Sequence, residues 1–388
     1  MIFAHTGDLH IGKRLYEVSL IEEQKNILEQ IRCILKNEKV DALIIAGDIY
    51  DKPTPSVESV KVFDDFVSAL KDDGIKLYAI SGNHDAMERI SFGSRIMAKE
   101  GIYFHENFQG KAQKITSLDE YGEINIYMVP YVKPVYVGES NYEVAFKKVL
   151  ECSDIDYNQR NVLVAHQFVV GAKAGSEETK DELIKKGLFP LTSDSETINV
   201  GGLDNISYEL MKEFDYVALG HLHRRQYIGK SHIRYAGSPY KYSFSERHDV
   251  KSIELVEVKE KGIVDIRTID LVMPRDLREI KGTLEQLVSE EIVNHPDVDR
   301  DAYVRAIITD EERVTDGAAK LKRWYPNLLT IAYERDMNQG EMGEIASIKG
   351  KTPIELFGEF YEMINKTPMS QKEECIIRDI LGGDEDEA

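Results

Sequence analysis

The sequence predicts an α/β fold with a large mixed β-sheet, a small α/β capping domain and a C-terminal pair of helices. Three observations predict it. Strand and helix patterns alternate through the first 85 residues, a second and smaller α/β pattern begins near Pro274, and two helix-start signatures lie close to the end. The predicted domains are residues 1–272, the cap at 273–337, a linker at 338–350 and the helix pair at 351–383.

The first pattern is a βαβαβ unit. Short apolar runs at residues 2–5, 42–46 and 77–80 predict strands. Apolar residues at helical spacing fill the two intervals between them, from Leu20 to Leu35 and from Val57 to Leu70. Further strands are predicted at 124–129, 162–165 and 216–219, with a β-rich stretch at 232–271. The sheet is therefore expected to be large and mixed.

An excursion rich in Ser, Glu, Lys and Gly interrupts this pattern at residues 173–206. It is predicted to contain one helix, at 180–186, and no function is assigned to it. The cap is predicted from an alternation of short strands and helices. Its strands are at 277–280, 303–309 and 328–333, and its helices at 284–291 and 316–324.

The end of the chain carries two capping boxes, one from Thr352 to Glu355 and one from Ser370 to Glu373. Each predicts a short helix with a broad apolar face, carried by residues such as Phe357 and Ile377. Two helices this short cannot bury both faces against each other. They are therefore expected to dock, either on a partner or on the cap of the same chain.

Composition excludes several classes of protein. The 388 residues are 42% hydrophobic and 30% charged, which is typical of a globular protein, and no apolar run is long enough to span a bilayer. The three cysteines form no CxxC pair and indicate a reducing compartment, so a cytoplasmic protein is expected. The net charge of −20 opposes phosphate binding over the whole surface, and any contact with nucleic acid must be local.

Five predicted strands end in metal-ligand residue types, four of them beside glycine. Sites assemble beyond the carboxyl ends of strands in α/β sheets, and glycine permits close approach there. In an extended segment, residues two apart face the same way, so Asp8 with His10, and His221 with His223, can each face one ion. The residues at these strand ends are Asp8, His10, Asp48, Asn83, His84, His166, His221 and His223.

Seven of these side chains make a coherent donor set of two carboxylates, one amide oxygen and four imidazoles. The mixture suits Mn²⁺, Fe²⁺ or Zn²⁺ and lacks the thiolates of a structural zinc site. Seven ligands are too many for one ion and suffice for two if one carboxylate bridges. Any single motif is ordinary turn chemistry, since Gly-Asp after a strand is common. The combination of all five strand-end motifs is what predicts a metal site.

The motif order D-x-H, GD, GNHD, H and GHxH resembles that of calcineurin-like metallophosphoesterases, and nearly the whole chain is similar to the SbcD nuclease subunits of bacterial SbcC–SbcD complexes. The resemblance extends through residues 47–53, 216–223 and 235–246. Lys52-Pro53 and Asp85 stand where the Ser/Thr phosphatase branch has Arg-Gly and the Glu of GNHE. The implied fold is a mixed β-sandwich flanked by helices.

The resemblance also implies the roles of the site residues. Asp8, His10 and His223 would hold one ion, Asn83, His166 and His221 the other, and Asp48 would bridge them. His84 would face the scissile phosphate as a catalytic residue without binding metal. The implied cofactors are two divalent ions, with Mn²⁺ expected.

By the same resemblance, the activity is exonuclease on DNA ends and endonuclease on hairpins or single strands. The implied partner is an SbcC-type ABC ATPase with a coiled coil, which binds the helix pair and gates cleavage, and the chain would form a homodimer within a heterotetramer.

Two alternatives are a phosphoesterase acting on nucleotides or phosphoproteins and a scaffold without activity. No DNA-binding residue is assigned, because the cations beside the strand ends are equally consistent with solvated surface charges; these are Lys13, Arg14, Arg224, Arg225 and Lys241.

Overall fold

The computed structural model describes residues 1–171, 180–196, 205–293 and 299–335, together with residues 358, 361, 369, 370 and 373. The predicted linker lies outside the described residues, as does the predicted helix pair apart from those five. Two of the five form the second predicted capping box. The Glu373 N–H donates to Ser370 Oγ at 3.4 Å, and the Ser370 N–H donates to Glu373 Oε2 at 2.9 Å.

The described part alternates strands and helices over most of its length. Its strands are β1 Ile2–Thr6, β2 Arg14–Leu15, β3 Val18–Ser19, β4 Ala42–Ala46, β5 Lys76–Ile80, β6 Ile102–Phe104, β7 Gln113–Asp119, β8 Gly122–Val129, β9 Arg160–His166, β10 Phe168–Val170, β11 Asn205–Ser207, β12 Tyr216–Gly220, β13 Gln226–Ile228, β14 Lys230–Tyr235, β15 Ser252–Val258, β16 Val264–Asp270, β17 Leu277–Gly282, β18 Tyr303–Ile308 and β19 Leu328–Tyr333. Its α-helices are α1 Ile21–Asn37, α2 Val57–Asp72, α3 Met87–Ile90, α4 Ser94–Met97, α5 Tyr142–Glu151, α6 Lys180–Lys185, α7 Leu284–Leu287, α8 Glu290–Val293 and α9 Gly317–Lys322. Short 3-10 helices lie at Ala98–Glu100, Pro134–Val137, Tyr208–Leu210 and Phe244–Glu246.

The strands of the first predicted domain form two six-stranded sheets rather than a single large one. The first sheet has the order β16-β15-β1-β4-β5-β6, and β1, β4, β5 and β6 are parallel. The second has the order β13-β14-β12-β9-β8-β7, and its four central strands are parallel. Antiparallel partners at the edges make both sheets mixed. The prediction of a mixed arrangement is thus confirmed.

The two sheets pack face to face as a sandwich. Apolar side chains of both sheets meet in one buried cluster, which includes Phe3 and Ile44 from the first sheet and Ile126 and Val164 from the second. Burial of such side chains against each other is the main favourable term in folding. Helices cover the outer faces, with α1 and α2 on the first sheet and α5 on the second.

The helices of the sandwich begin where the sequence supplies a cap. Ser56 precedes α2, and its Oγ accepts a hydrogen bond from the Ser59 N–H at 3.1 Å. Asn141 does the same for α5 through the Val144 N–H. Parallel strands need such crossover helices, and this requirement explains the predicted βαβαβ unit.

The cap strands form a three-stranded sheet of order β17-β18-β19. The single helix predicted at 284–291 is wrong, because the structure has two short helices, α7 and α8. Ser289 explains the break. Its hydroxyl donates to the Gln286 carbonyl at 2.8 Å and accepts from the Ile292 N–H, so it ends one helix and caps the next.

Among the described residues, the chain divides into two compact units. The first takes in residues up to 279 together with 299–305 and 322–330, and it contains the whole sandwich. The second comprises 280–293, 306–321 and 331–335. Across the described part of the chain, none of the helices has both the length and the apolar character required to cross a bilayer.

Candidate metal centre

All eight predicted site residues lie at one edge of the sandwich. They lie at or just after the carboxyl ends of β1, β4 and β5 in the first sheet and of β9 and β12 in the second. Two hydrogen bonds join the two sides of this edge. The His166 Nδ1 atom lies 2.8 Å from the Ala46 carbonyl oxygen, and the His221 N–H donates to Asp8 Oδ1 at 2.9 Å. The five strand ends therefore converge across both sheets.

Glycine permits this close approach of the two sheets. A Cβ atom at Gly220 would overlap the Ala46 carbonyl oxygen, and one at Gly47 would lie 2.8 Å from His166 Cγ. Gly47 also has φ +91°, a conformation that L-residues with side chains rarely adopt. The predicted role of glycine at these strand ends is confirmed at both positions.

Four of the candidate ligands have left-handed backbone conformations, which are uncommon for residues other than glycine. Their φ angles are 53° at Asp8, 43° at His10, 49° at Asp48 and 102° at His221. The extended geometry expected for Asp8–His10 and for His221–His223 is therefore wrong at Asp8, His10 and His221. These residues do face the site, but each does so from a backbone with positive φ. Backbone strain of this kind is concentrated at functional sites.

Asp8, His10 and His223 form a first ligand group. One donor atom of each lies within 4.8 Å of the others, and all three side chains are buried. The two Nε2 atoms of His10 and His223 lie 3.1 Å apart. Two nitrogens bound at about 2.1 Å to one ion at a right angle would be about 3.0 Å apart, so the spacing fits a shared cation.

Asn83, His166 and His221 form a second ligand group. Asn83 Oδ1 lies 2.9 Å from His166 Nε2 and 3.1 Å from His221 Nδ1. The Asp48 carboxylate lies between the two groups, because its Oδ2 is 3.4 Å from His166 Nε2 and 3.7 Å from His10 Nε2. Oxygen and imidazole donors converge in both groups, as a divalent transition metal requires.

The buried charges of the centre shift one another's pKa values. Burial raises the pKa of Asp8 to about 7. Burial would also raise that of Asp48, but His166, His10 and His84 together outweigh it and hold the Asp48 pKa below its usual range. Burial opposes the charged form of His166, yet Asp48 raises its pKa to about 9. Protons thus bind where cations fit, and metal binding would displace them.

His84 is half-buried, as is its neighbour Asn83, whereas the other six candidate ligands are buried. Its backbone N–H donates to Asp48 Oδ1 at 2.8 Å, and its Nδ1 lies 3.0 Å from the Asp51 carbonyl oxygen. That carbonyl can only accept, so Nδ1 carries a proton and Nε2 is free to meet a substrate. One His84 ring nitrogen also lies within 4.8 Å of donor atoms of His10 and Asp48.

The loops that carry the ligands are tied by two side chains that the sequence analysis did not single out as site residues. The Asp85 carboxylate accepts backbone N–H groups of Gly82, Ile49 and Tyr50, each at 3.0 Å. Gln24 of α1 donates to the carbonyls of Leu9 and His10. A polar residue within the apolar stripe of α1 is a signal that could have identified Gln24.

His223 has a further set of partners that sequence reasoning missed. Ser195 Oγ lies 2.7 Å from its Nδ1, and the Glu196 carboxylate accepts its backbone N–H at 2.7 Å. Glu246 and Lys251 complete the set as a buried ion pair of 2.6 Å. Glu246 lies in the stretch 235–246 that carries the resemblance, whereas nothing in the excursion sequence distinguished Ser195.

The cations beside the strand ends bind partners within the chain. Lys13 pairs with Asp51 at 2.8 Å, Arg224 with Asp249 at 3.1 Å, and Lys241 with Asp276 at 2.7 Å. Arg225 donates to Ser252 Oγ at 3.1 Å, and Arg14 donates to the Glu17 carbonyl. Each of these cations thus has a partner within the chain, and no DNA-binding residue is assigned.

Comparison with known proteins places this centre in a family. The model of the calcineurin-like phosphoesterases matches residues 1–225, more than half of the chain. The chain belongs to the calcineurin-like phosphoesterase family. The matched region ends two residues after His223 and contains all eight predicted site residues. The family assignment confirms the fold expected from the resemblance, a mixed β-sandwich flanked by helices.

Individual relatives extend the similarity beyond this phosphoesterase region. A second family model, the type 5 capsule protein repressor C-terminal domain, matches residues 273–365. The chain is 29% identical over 395 aligned residues to the SbcD subunit of the nuclease SbcCD from Staphylococcus epidermidis (strain ATCC 12228 / FDA PCI 1200), and the alignment covers 98% of each chain. The similarity to that nuclease subunit therefore includes the predicted cap.

Two solved structures align with about seventy per cent of the chain. TT1561 of Thermus thermophilus has a TM-score of 0.36 and 13% identity, with coverage of 69% of this chain and 98% of the other. A dimetal phosphatase from Danio rerio has a TM-score of 0.37 and 10% identity, with coverage of 70% and 98%. The family assignment rests on the family model and not on these low scores.

Proposed function

We propose that this protein is the nuclease subunit of an SbcC–SbcD-type DNA repair complex. It would hydrolyse phosphodiester bonds of DNA with divalent metal ions, as an exonuclease on duplex ends and an endonuclease on hairpins and single strands. One observation carries the proposal. Seven oxygen and nitrogen ligands converge at one sandwich edge, in a chain that is similar over 98% of its length to the SbcD subunit of a bacterial SbcCD nuclease.

Each ligand group would hold one ion, and Asp48 would bridge the two. The 3.1 Å spacing of the His10 and His223 nitrogens supports the first assignment, and the contacts of Asn83 Oδ1 with His166 and His221 support the second. Mn²⁺ is the proposed metal because the resemblance to the SbcD subunits implies it, and the donor set of carboxylate and amide oxygens with imidazoles suits Mn²⁺ as it also suits Fe²⁺ and Zn²⁺. When bound, such a pair of ions lowers the pKa of water and offsets charge on a phosphate.

His84 is the proposed catalytic residue that protonates the leaving sugar oxygen. Its Nδ1 proton is held by the Asp51 carbonyl, so the imidazolium form can give a proton only from Nε2. An imidazolium suits this task because it can give a proton to an oxygen within hydrogen-bond reach. The hydrogen bond from the His84 N–H to Asp48 fixes the ring beside the ligands.

The centre can attract a phosphodiester although the chain carries a charge of −20. The two ligand carboxylates, Asp8 and Asp48, would leave a formal charge of +2 once two divalent ions are bound. Attraction of the phosphate is therefore local, and salt should weaken DNA binding less than it weakens binding by a basic surface. This view agrees with the intramolecular pairing of the nearby cations.

The remaining domains would connect the nuclease to DNA and to a partner. We propose that residues 273–337 orient DNA and that the helix pair 351–383, joined by the linker 338–350, docks on the coiled coil of an SbcC-type ABC ATPase. The chain would work as a homodimer within a heterotetramer in the cytoplasm.

Truncation at Gly350 tests the docking, since it should abolish ATPase binding and leave Mn²⁺-dependent nuclease activity intact. Unfolding of the truncated protein would instead indicate that the helices pack on the cap.

Three substrates test the proposed activity. Purified protein with Mn²⁺ is given linear duplex DNA, hairpin DNA and p-nitrophenyl phosphate. Cleavage of both DNAs is expected, and cleavage of p-nitrophenyl phosphate alone would contradict the proposal in favour of a small-substrate phosphoesterase.

His84→Ala is the matched variant for the proposed catalytic residue. It should bind the same amount of Mn²⁺ as the wild type and lose about 10²- to 10⁴-fold in turnover, the usual contribution of a general acid. Metal content by elemental analysis and initial rates on the hairpin are the measurements. A fully active His84→Ala enzyme would refute the assigned role.

A further inference from the structure

Ser195 and Glu196 contact the candidate ligand His223 although they lie in the excursion, almost thirty positions earlier in the chain. The Ser195 hydroxyl donates to Glu246 Oε1 at 2.6 Å and lies 2.7 Å from His223 Nδ1. The Glu196 carboxylate accepts the His223 N–H at 2.7 Å. The segment is fixed in turn by the hydrogen bond from the Asp194 N–H to Ser245 Oγ.

The direction of these hydrogen bonds follows from Glu246. Its carboxylate is fully buried and pairs at 2.6 Å with Lys251, whose ammonium also donates to the His223 carbonyl and to Ser238 Oγ. A buried carboxylate beside an ammonium is ionised and can only accept. The Ser195 hydroxyl must therefore give its proton to Glu246, which leaves its oxygen to accept from His223.

A proton on His223 Nδ1 determines what the other ring nitrogen can do. With Nδ1–H directed at Ser195, the neutral ring carries its lone pair on Nε2. That atom is the one that lies 3.1 Å from His10 Nε2 inside the first ligand group. The arrangement therefore prepares His223 to bind a cation through Nε2.

Glu246 cannot orient the His223 ring without Ser195. Its Oε1 lies 3.7 Å from His223 Nδ1, which is beyond hydrogen-bond distance. The serine hydroxyl spans that gap with two short hydrogen bonds. Alanine at position 195 would leave Nδ1 without this acceptor, and the ring could rotate or change tautomer.

We propose that Ser195 is a positioning residue that connects Glu246 to His223 and so sets the affinity of the first ligand group for its divalent ion. The inference rests on the proposed function only in taking His223 as a metal ligand. It gives the described end of the excursion a role in metal binding. Loss of a partner behind a metal-ligating histidine typically costs 10- to 100-fold in affinity or activity.

Mn²⁺ binding to the full-length protein tests the proposal. Free Mn²⁺ is followed by electron paramagnetic resonance during titration of the wild type and of Ser195→Ala. The variant should bind one of two ions about 10- to 100-fold more weakly and the other ion normally. Its melting temperature without metal should remain close to that of the wild type. Ser195→Thr keeps a hydroxyl and should restore wild-type affinity.

Two controls separate positioning from a general structural effect. Asp194→Ala changes an exposed side chain in the same segment, keeps the backbone hydrogen bond to Ser245, and should bind Mn²⁺ normally. In a His223→Ala background, Ser195→Ala should have no further effect on the remaining ion, because the two residues act as one unit. An additional loss in that background would overturn the proposal.

The outcomes for Ser195 and for the nuclease are distinguishable. If Ser195→Ala binds both ions with wild-type affinity, the proposal about Ser195 fails while the nuclease function stands. If the wild type binds two ions, shows the Ser195 effect and cleaves no DNA, the proposed function fails and the role of Ser195 stands. A wild type that binds no divalent ion would overturn both.

Discussion

The two ligand groups of the centre are supported in different ways. In the second group, His166 is oriented by main chain, because its Nδ1 lies 2.8 Å from the Ala46 carbonyl at the end of β4. In the first group, His223 is oriented by side chains from separate segments, Ser195 in the excursion and Glu246 after β14. The orientation of His166 thus depends on the main chain of the sandwich, whereas the orientation of His223 depends on the side chains of Ser195 and Glu246.

This difference shows which part of the centre follows from the fold. Strands β4 and β9, which belong to different sheets, bring Ala46 and His166 together when the two sheets pack, so this contact of the second group forms with the core. The first group also needs a buried ion pair, Glu246 with Lys251, which contributes only while both charges are paired. Substitution of a residue in one group should therefore affect the ion of that group alone. Substitution of Asp48, which lies near both groups, should affect both ions.

Asp48→Ala should give the largest effect. The variant loses the carboxylate that lies between the two groups and the acceptor of the His84 N–H. We expect loss of both ions and a fall in nuclease rate beyond the roughly 10⁴-fold upper limit of a general acid. Metal per chain by elemental analysis and hairpin cleavage are the measurements. Retention of two ions by Asp48→Ala would show that this carboxylate bridges nothing.

Single histidine substitutions should then separate the two groups. His223→Ala removes a ligand of the first group, and His221→Ala removes one of the second while its backbone N–H can still donate to Asp8. Each variant should retain one ion per chain after dialysis against Mn²⁺, and each should lose nuclease activity. If either variant loses both ions, the two groups form a single indivisible site.

Sequence reasoning identified the candidate ligands that converge at this edge but not the conformations that bring them together. Residue type and position after apolar runs were enough to find the strand ends, because strand periodicity is a local property. The left-handed turns at Asp8 and Asp48 depend on contacts across the sheets, which no local pattern contains. Ser195 and Glu246 were missed for the same reason, since they are far from His223 in the chain.

Gly47→Ala should weaken the second group through the backbone. Gly47 has φ +91°, and an added Cβ would press against the His166 ring. Gly262 is a matched control because its φ is +81° and nothing lies within 4 Å of an added Cβ. Gly262→Ala should cost about 1–2 kcal/mol of unfolding free energy from the left-handed conformation alone. Gly47→Ala should cost about 1–3 kcal/mol more, because it overpacks a buried contact.

Urea unfolding of the metal-free proteins measures the two glycine effects, and Mn²⁺ titration measures the accompanying loss of affinity. Equal destabilisation by the two substitutions would mean that the contact with His166 relaxes at no cost. In that case the second group would be less dependent on the sandwich than the main-chain contact of His166 implies.

His5 provides the smallest expected effect, from a histidine of β1 that lies inside the sandwich and outside both groups. It is fully buried, its Nδ1 is 2.9 Å from the Tyr216 hydroxyl, and burial lowers its pKa to about 3. The folded state therefore keeps it neutral, while the unfolded chain binds a proton near its ordinary pKa of about 6.5. Folding stability must fall as the pH drops below that value.

Comparison of the wild type with His5→Gln isolates this contribution, because the titrations of the metal ligands occur in both proteins. Between about pH 7.5 and about pH 5.5, the wild type should lose about 1.4 kcal/mol more unfolding free energy than the variant. Urea unfolding at the two pH values measures the difference. An identical loss in both proteins would mean that His5 is protonated within the fold. Burial alone would then not keep a histidine of this sandwich neutral. Burial is also the main cause that lowers the pKa of His221 to about 3, and that explanation would fail as well.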